Sequence, residues 1–390
     1  MTFERLQTCL LIVSACIATI LATPADAVTK TLAPIAVSQD TANKPQSKVW
    51  SHAGRWWAVL PSTEVSPPGT WLWRLEADRS WTNVLHLSTA ADSRADVQLR
   101  GRLAHVFLHG ASPQLVSIEY SPSQKAYKRW KLRSDNTPLA LPDSETASLA
   151  IDSRDRIWIA TESGTSVHVY YADAPYAAFA GPLRLADGIA PDDIAAITRL
   201  PFAAIGVLWS NQKTGRFGFR IHRDSDQPST WQSDEVPAAQ SARNVGLGMA
   251  DDHLNFAVGR DGTLYVAVKT SFDTAGYTKI ALLVRRPNGT WDDLHEVDTT
   301  GTRPIVVLNE KRGLLHVIYT SREGLNGIVV KETRTDVICF GPRRTLIHGN
   351  WNNTTSTPCP WNDEVVVLVS NGSVVSGVLT DLWPRVTNTL

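Results

Sequence analysis

Seven short runs of strand-forming residues recur along this chain about 50 residues apart. They lie at 56–59, 103–107, 157–160, 205–209, 264–267, 314–318 and 365–368. Each is followed by another strand-forming run, at 71–75, 115–120, 167–171, 217–221, 280–284, 328–331 and 374–378. Turn residues separate them. The stretch from Asp251 to Thr270 shows the unit well: an apolar run ending at Val258, an Arg260-Asp261-Gly262 turn supplying the positive φ a hairpin needs, then Leu264 to Val268. The runs are too short for ordinary helices and several alternate with period two. A fourth strand in several repeats carries a tryptophan: Trp81, Trp130, Trp231 and Trp291.

A period of this length built from four-stranded meanders predicts an all-β chain, a single β-propeller of four-stranded antiparallel blades. Seven blades fit the seven hairpins, with six as the alternative count. The propeller is assigned to residues 47–390, and 28–46 to a lead-in. Closing the ring takes a strand from one end, either 31–37 or 382–386. The N-terminal choice is preferred because Pro384 interrupts the other. The 14 tryptophans are the compositional outlier, and outer-strand wedges between neighbouring sheets account for them better than ligand stacking.

Residues 1–27 read as a signal peptide. Arg5 precedes an apolar run, and Ala25-Asp26-Ala27 supplies a small-x-small site, so cleavage is expected after Ala27. The competing reading is a lipoprotein, with Val13-Ser14-Ala15-Cys16 as lipobox and Cys16 acylated. No later run is long enough to span a bilayer, so a secreted or periplasmic monomer is expected. Formal net charge is zero, which removes the electrostatic case for nucleic acid. Cys339 and Cys359 remain after processing, a pair for a disulfide in an oxidising compartment, with two free thiols as the alternative.

The hairpin Arg286-Pro287-Asn288-Gly289-Thr290-Trp291 resembles the Asp-box repeat of sialidase-type (BNR) propellers, whose pattern is Ser-x-Asp-x-Gly-x-Thr-Trp. The serine is absent and Asn288 stands for the Asp. Segments of the last third of the chain, among them 251–255, 267–271, 302–305 and 352–357, resemble secreted bacterial propeller modules of uncharacterised function. These resemblances imply a secreted propeller and no reaction. Arg303-Pro304-Ile305 is similar only in composition to the family's Arg-Ile-Pro motif and sits in the sixth repeat, where that motif belongs near the start.

In a propeller the residues just before each innermost strand converge on the axis. Read from the repeats, they are Arg94, Asp96, Glu145, Asp192, Asp193, Asp252, His253, Asn255, Arg303, Asn352 and Asn353. Such a ring of amides, acids and arginines suits a polyhydroxylated or acidic sugar, and equally suits the capping of strand ends. The densest part gives the candidate ligand set Asp252, His253, Asn255, Lys269, Arg303 and Asn353. Lys269 stands within an apolar strand, Val266-Ala267-Val268-Lys269-Thr270, and needs a partner, for which Asp252 is the natural choice. No zinc, phosphate-loop or Ser-His-Asp pattern occurs, and no cofactor is expected. His105 and His109 share a strand face without companion ligands and read as core or rim residues. The leading expectation is carbohydrate binding at the axial face. A polysaccharide lyase or glycoside hydrolase on that face, and a protein-interaction scaffold, are the alternatives.

Overall fold

A computed structural model describes residues 24–25, 28–41, 44–321, 327–361, 363–382 and 385–386. Of the segment expected to be a signal peptide, residues 1–23 and 26–27, with Cys9 and Cys16, lie outside the described residues. Seven antiparallel sheets follow one another in chain order, each built from the axis outward. Their innermost strands are Val49–His52, Arg94–Arg100, Ala147–Ile151, Ala195–Leu200, Leu254–Val258, Thr302–Asn309 and Asn353–Thr355. These define blades one to seven. The sole helical element among the described residues is a single turn, Ala239–Ser241.

Two blades depart from four full strands. In blade two the outer layer is split, with Ala126–Arg129 and Thr137–Pro138 both pairing with Gln114–Ser121. In blade four the fourth strand shrinks to Gln232 N–H donating to Ile221 O at 2.9 Å and the Phe219–Glu235 pair. Blade seven takes its outer strand from the other end of the chain. Thr29–Ala36 pairs antiparallel with Val374–Thr380, from Thr29 opposite Thr380 to Ala36 opposite Val374.

The core is not one mass. It divides into seven clusters, each shared by two neighbouring blades, and the seven complete a circle. The second strands show why: Leu314–Thr320 is buried along its whole length, so both of its faces pack against neighbours. Tryptophan fills the wider outer part of these wedges. Trp130 lies against His105 and Tyr176, Trp231 against Trp158 and His222, and Trp291 edge-on to Phe219. His105 donates or accepts at Ser117 Oγ, 2.9 Å away, and burial pushes its pKa down to about 4. His109 is buried to the same effect beside Ser144. Both histidines are neutral structural residues.

The turn chemistry at 288–291 is visible in full. Asn288 Oδ1 accepts from Thr290 N–H at 3.0 Å and from its hydroxyl at 2.8 Å, while Trp291 Nε1 donates to Glu235 at 2.7 Å. The device is not confined to one blade. Asp78 accepts in the same way from Ser80 ahead of Trp81, and Asp261 from Thr263. An acid or amide two residues before a hydroxyl residue is therefore the recurrent local signal.

The Cys339–Cys359 disulfide is corrected: the two cysteines are not bonded. Cys339 lies in the turn before the outer strand of blade six, between Ile338 and Phe340, which pack into the wedge of blades five and six. Cys359 precedes Trp361, which packs into the wedge of blades six and seven. The two loops belong to different wedges and different radii.

Ring closure rests on Leu32 and Ile35, 2% and 5% exposed in the cluster that joins blade seven to blade one. Leu32→Ala should lower unfolding free energy by about 2–5 kcal/mol, the range for a buried leucine truncation. Denaturant titration followed by tryptophan fluorescence measures it. A change below about 1 kcal/mol would mean that this strand does not close the ring.

Candidate functional site

The chain that leaves the outer strand of blade seven must reach the innermost strand of blade one, and it does so across the axis. Its passage uses most of the polar groups that converge there. Ser47 N–H donates to Asp96 Oδ1 at 2.8 Å, and Leu149 N–H to Asp96 Oδ2 at 2.7 Å, so Asp96 ties the lead-in to blades two and three. Gln46 Nε2 donates to Ala147 O at 2.7 Å, and Thr355 Oγ1 to Gln46 O at 3.1 Å. Arg94 reaches Gln39 at 3.0 Å and Asp40 at 3.4 Å. Lys48 is fully buried, donating to Thr41 O at 3.2 Å. Burial pushes Lys48 down to about 7 and Asp96 up to about 7, the latter against the backbone N–H groups of Ser47, Leu149 and Val97.

Lys44 occupies the centre. Its ammonium bonds Glu145 at 2.8 Å from blade three and Asp252 from blade five. Burial alone would lower its pKa, but these two carboxylates outweigh it and hold the group above the ordinary lysine value. Asp252 in turn lies 2.5 Å from His253 Nδ1. Burial opposes its charge, yet the bonds and charges of His253 and Lys44 hold the carboxyl far below the usual range. Asp251 Oδ1 is 2.8 Å from the same His253 nitrogen. Lys269 pairs with Asp251 at 2.8 Å and not with Asp252, a correction of the expected partnership: Lys44 holds that carboxylate.

Asn255 is also committed. Its Oδ1 accepts from Val306 N–H at 3.1 Å, joining blades five and six, and its Nδ2 faces Lys44 O and Pro45 O at 3.4 and 3.5 Å. Asp193 accepts from Ala190 N–H at 2.6 Å and Gln212 N–H at 3.0 Å, a turn cap. The lead-in thus gathers Arg94, Asp96, Glu145, Asp252 and Asn255, while Asp193 serves its own blade. Lys44 carried no local signal, because nothing in a polar lead-in marks which residue will cross an axis.

Three of the candidate residues do meet in one cavity. His253, Arg303 and Asn353 line it with Thr41, Lys44, Pro304, Ile305 and Thr354, and it has room for one water-sized occupant. Arg303 also lines a second, open cleft of about 280 Å³ between blades six and seven, with Thr302, Thr320, Ser321, Asn350, Trp351, Asn352 and Asn371. The backbone places it there. Gly301, at φ 119°, passes Tyr319 so closely that a Cβ would lie 2.6 Å from the ring. Arg303 itself takes φ 54°, and the ladder with Leu314–Thr320 slips between Thr302 and Ile305. Pro304 has no N–H to lose in that bulge. Among the described residues the Arg303 guanidinium makes no hydrogen bond or ion pair. Trp351 packs one side on the core of blades six and seven, its indole N–H bonded to His348 O at 3.0 Å. Gly349, at φ 120°, leaves room beneath that indole.

No family model matches the chain, and no curated protein matches it. Solved structures do. An ulvan lyase of a new polysaccharide lyase family, bound to a GlcA(1-4)Rha3S saccharide, aligns with TM-score 0.55 and 9% identity over 92% of this chain and 98% of that one. A protein of unknown function from Dyadobacter fermentans aligns at 0.51 and 10% identity, covering 90% and 99%. An arginine-to-alanine mutant of AofleA from Arthrobotrys oligospora aligns at 0.50 and 9% identity, covering 83% and 91%. At such identities the likeness is one of fold.

Glu162 holds the Glu145 side of the axial network by accepting from Glu145 N–H at 2.5 Å and Thr146 N–H at 2.8 Å. Burial pushes its pKa from 4.5 up to about 8. A raised folded-state pKa means that its stability contribution is full below about 4.5 and is lost as pH rises through about 8. Glu162→Gln mimics the protonated form. The wild-type advantage over this variant should therefore shrink by about 1.4 kcal/mol per pH unit across that window. Denaturation series at the two ends measure it; a pH-independent difference would refute the buried protonated carboxyl.

Proposed function

We propose that this protein is an exported, non-catalytic propeller that binds saccharides bearing acidic groups, and that the ligand lies in the cleft between blades six and seven. The observation that carries this reading is Arg303: an arginine held at a positive φ by a bulge, with its guanidinium unpaired among the described residues, at the floor of a polar cleft. Strain of that kind costs about 1–3 kcal/mol and persists where surrounding structure enforces it. Guanidinium matches the two oxygens of a carboxylate or sulfate. The exposed Asn352 offers an amide and Asn371, whose Nδ2 donates to Asn350 O at 2.7 Å, an amide oxygen of the kind sugars bond, and Trp351 offers a ring for the apolar face of a pyranose.

Binding is favoured over catalysis by space. Among the described residues His253 is the candidate base that shares a cavity with Arg303, and that cavity is too small for a sugar ring. The ulvan lyase, whose bound saccharide is acidic, supports the class of ligand through shared architecture alone. Export rests on the sequence pattern at 1–27, and the sialidase-type kinship on the Asp-box-like turns. In this reading those turns support blades and take no part in binding.

A glycan array and a product assay on uronic-acid polysaccharides test the proposal together. Binding of acidic glycans without product is expected. Unsaturated product ends would move the protein to the lyase reading, and silence in both assays to a scaffold. Arg303→Gln should weaken binding of an acidic oligosaccharide by about 1.5–3 kcal/mol, the range for a hydrogen bond to a charged group, with the melting temperature kept. Trp351→Ala should weaken acidic and neutral oligosaccharides alike, as measured by calorimetry.

A further inference from the structure

The outer layer of blade two is interrupted. Arg129 stands opposite Ile118 and Thr137 opposite Leu115, so residues 130–136 face only two residues of the partner strand and the surplus leaves the sheet. The even charge of the chain also breaks down here. Residues 120–134 hold Lys125, Lys128, Arg129, Lys131 and Arg133 and no acid, in a chain with 38 basic and 38 acidic residues. The two arginines build the loop. Arg129 donates to Leu87 O at 2.7 Å and Asn136 Oδ1 at 2.5 Å, and Arg133 to Pro175 O at 2.7 Å and Ser117 Oγ at 3.0 Å. All four acceptors are neutral. Lys125, Lys128 and Lys131 stand exposed, and among the described residues none of the five cations is in an ion pair. We propose that this edge is a docking strip for an extended acidic polysaccharide, gripped by Lys125, Lys128 and Lys131.

Charge sets the class. Arg102 joins the five cations and lies 3.6 Å from Glu119, which stands opposite Lys128. Glu119 and Asp135 are the carboxylates among them. Burial lowers the pKa of Arg129 and Arg133, with Asp135 the carboxylate that opposes it. Other rims balance their cations: blade three pairs Arg184 with Asp187 at 3.3 Å, and blade five Arg286 with Asp292 at 2.5 Å. Position sets the length. Successive lysines are three residues apart, so their Cα atoms lie within about 10 Å, and all three within about 20 Å. On this outer rim a small anion would meet one lysine and water, and an isolated exposed ion pair is worth little. A linear polyanion meets all three, each contact raising the local concentration for the next. A nucleic-acid strand seeks ring faces for its bases, but Tyr127 and Trp130 are 5% and 7% exposed and offer none. Leu132, 65% exposed, is the large apolar side chain displayed in this stretch, too little to enter a bilayer. A sugar chain bearing a charge at every ring or every second ring, with apolar ring faces for Leu132, fits both features.

The class of polymer rests on the saccharide reading above, while the strip shares no residue with the cleft of blades six and seven. The test is titration of the processed protein with polygalacturonate at low and high salt. Binding should weaken as salt rises. The combined variant Lys125→Gln, Lys128→Gln, Lys131→Gln should bind about tenfold more weakly at low salt, with a flatter salt dependence and an unchanged melting temperature. Galacturonate trisaccharide, too short to span the strip, reports the cleft alone: the combined variant should bind it as wild type does, and Arg303→Gln should not. Wild type that binds the polymer but not the trisaccharide would sink the cleft and leave the strip standing. Wild type that ignores the polymer, or a combined variant that binds it with full affinity, overturns the strip. So does tighter binding of duplex DNA or phosphatidylglycerol vesicles than of the polymer. If the combined variant melts early, Lys128→Gln and Lys131→Gln are measured singly, and full polymer affinity in both overturns the proposal.

Discussion

Every blade in this molecule is apolar on both faces, and that requirement governs the rest. A strand such as Ala147–Ile151, buried at all its positions, cannot belong to a sheet with one wet side. Each sheet needs a neighbour on either hand, and only a closed circle gives one to all seven. Seven shared clusters satisfy that demand without any blade having a core of its own. The last wedge closes because Leu32, Ile35 and Val37 come from the opposite end of the chain to lie with Val366, Leu368 and Val375.

Closure has a second effect, at the axis. A chain that begins as the outermost strand of blade seven and continues as the innermost strand of blade one must cross the radius of the ring. Here residues 38–41 and 44–48 lie along the crossing and bring with them the Ser47 N–H, the buried Lys48 and Lys44. The convergent acids then become partners of the lead-in. Asp96 takes the Ser47 N–H, and Asp252 and Glu145 take Lys44. The closing strand is therefore also what denies the axis to a sugar-sized ligand, and the polar groups left over lie to one side, at blades six and seven.

How much of this was legible follows from how local each signal is. Strand runs, turns and outer-strand tryptophans are short-range patterns with a fixed period, so the all-β architecture and the blade count could be read directly. The convergence of Asp252, His253, Arg303 and Asn353 on one region could also be read, since it follows from topology. Partner choice could not. Asp251 and Asp252 are adjacent, and which one meets Lys269 depends on Lys44 arriving from more than 200 residues away. The cysteines show the same limit: 339 and 359 are close in sequence, but a propeller assigns their loops to different wedges. The turn Asp78-Arg79-Ser80-Trp81 went unread because Arg79 stands where glycine is usual, at φ 71°.

Arg303 is where the two levels of description separate. By residue type it is an ordinary basic residue before a proline, with no motif to set it apart. By geometry it stands at a positive φ, in a bulge, lining both a small cavity and an open cleft. A fold seeking stability alone would seat a glycine or asparagine there, since either takes that backbone with less strain. Among the described residues the guanidinium in this position has no carboxylate partner, in a molecule that pairs Arg285 with Glu235 and Arg286 with Asp292 a short distance along the same chain. The strain and the open guanidinium fall on one side chain, which is why the proposed ligand is placed there and not at the axis.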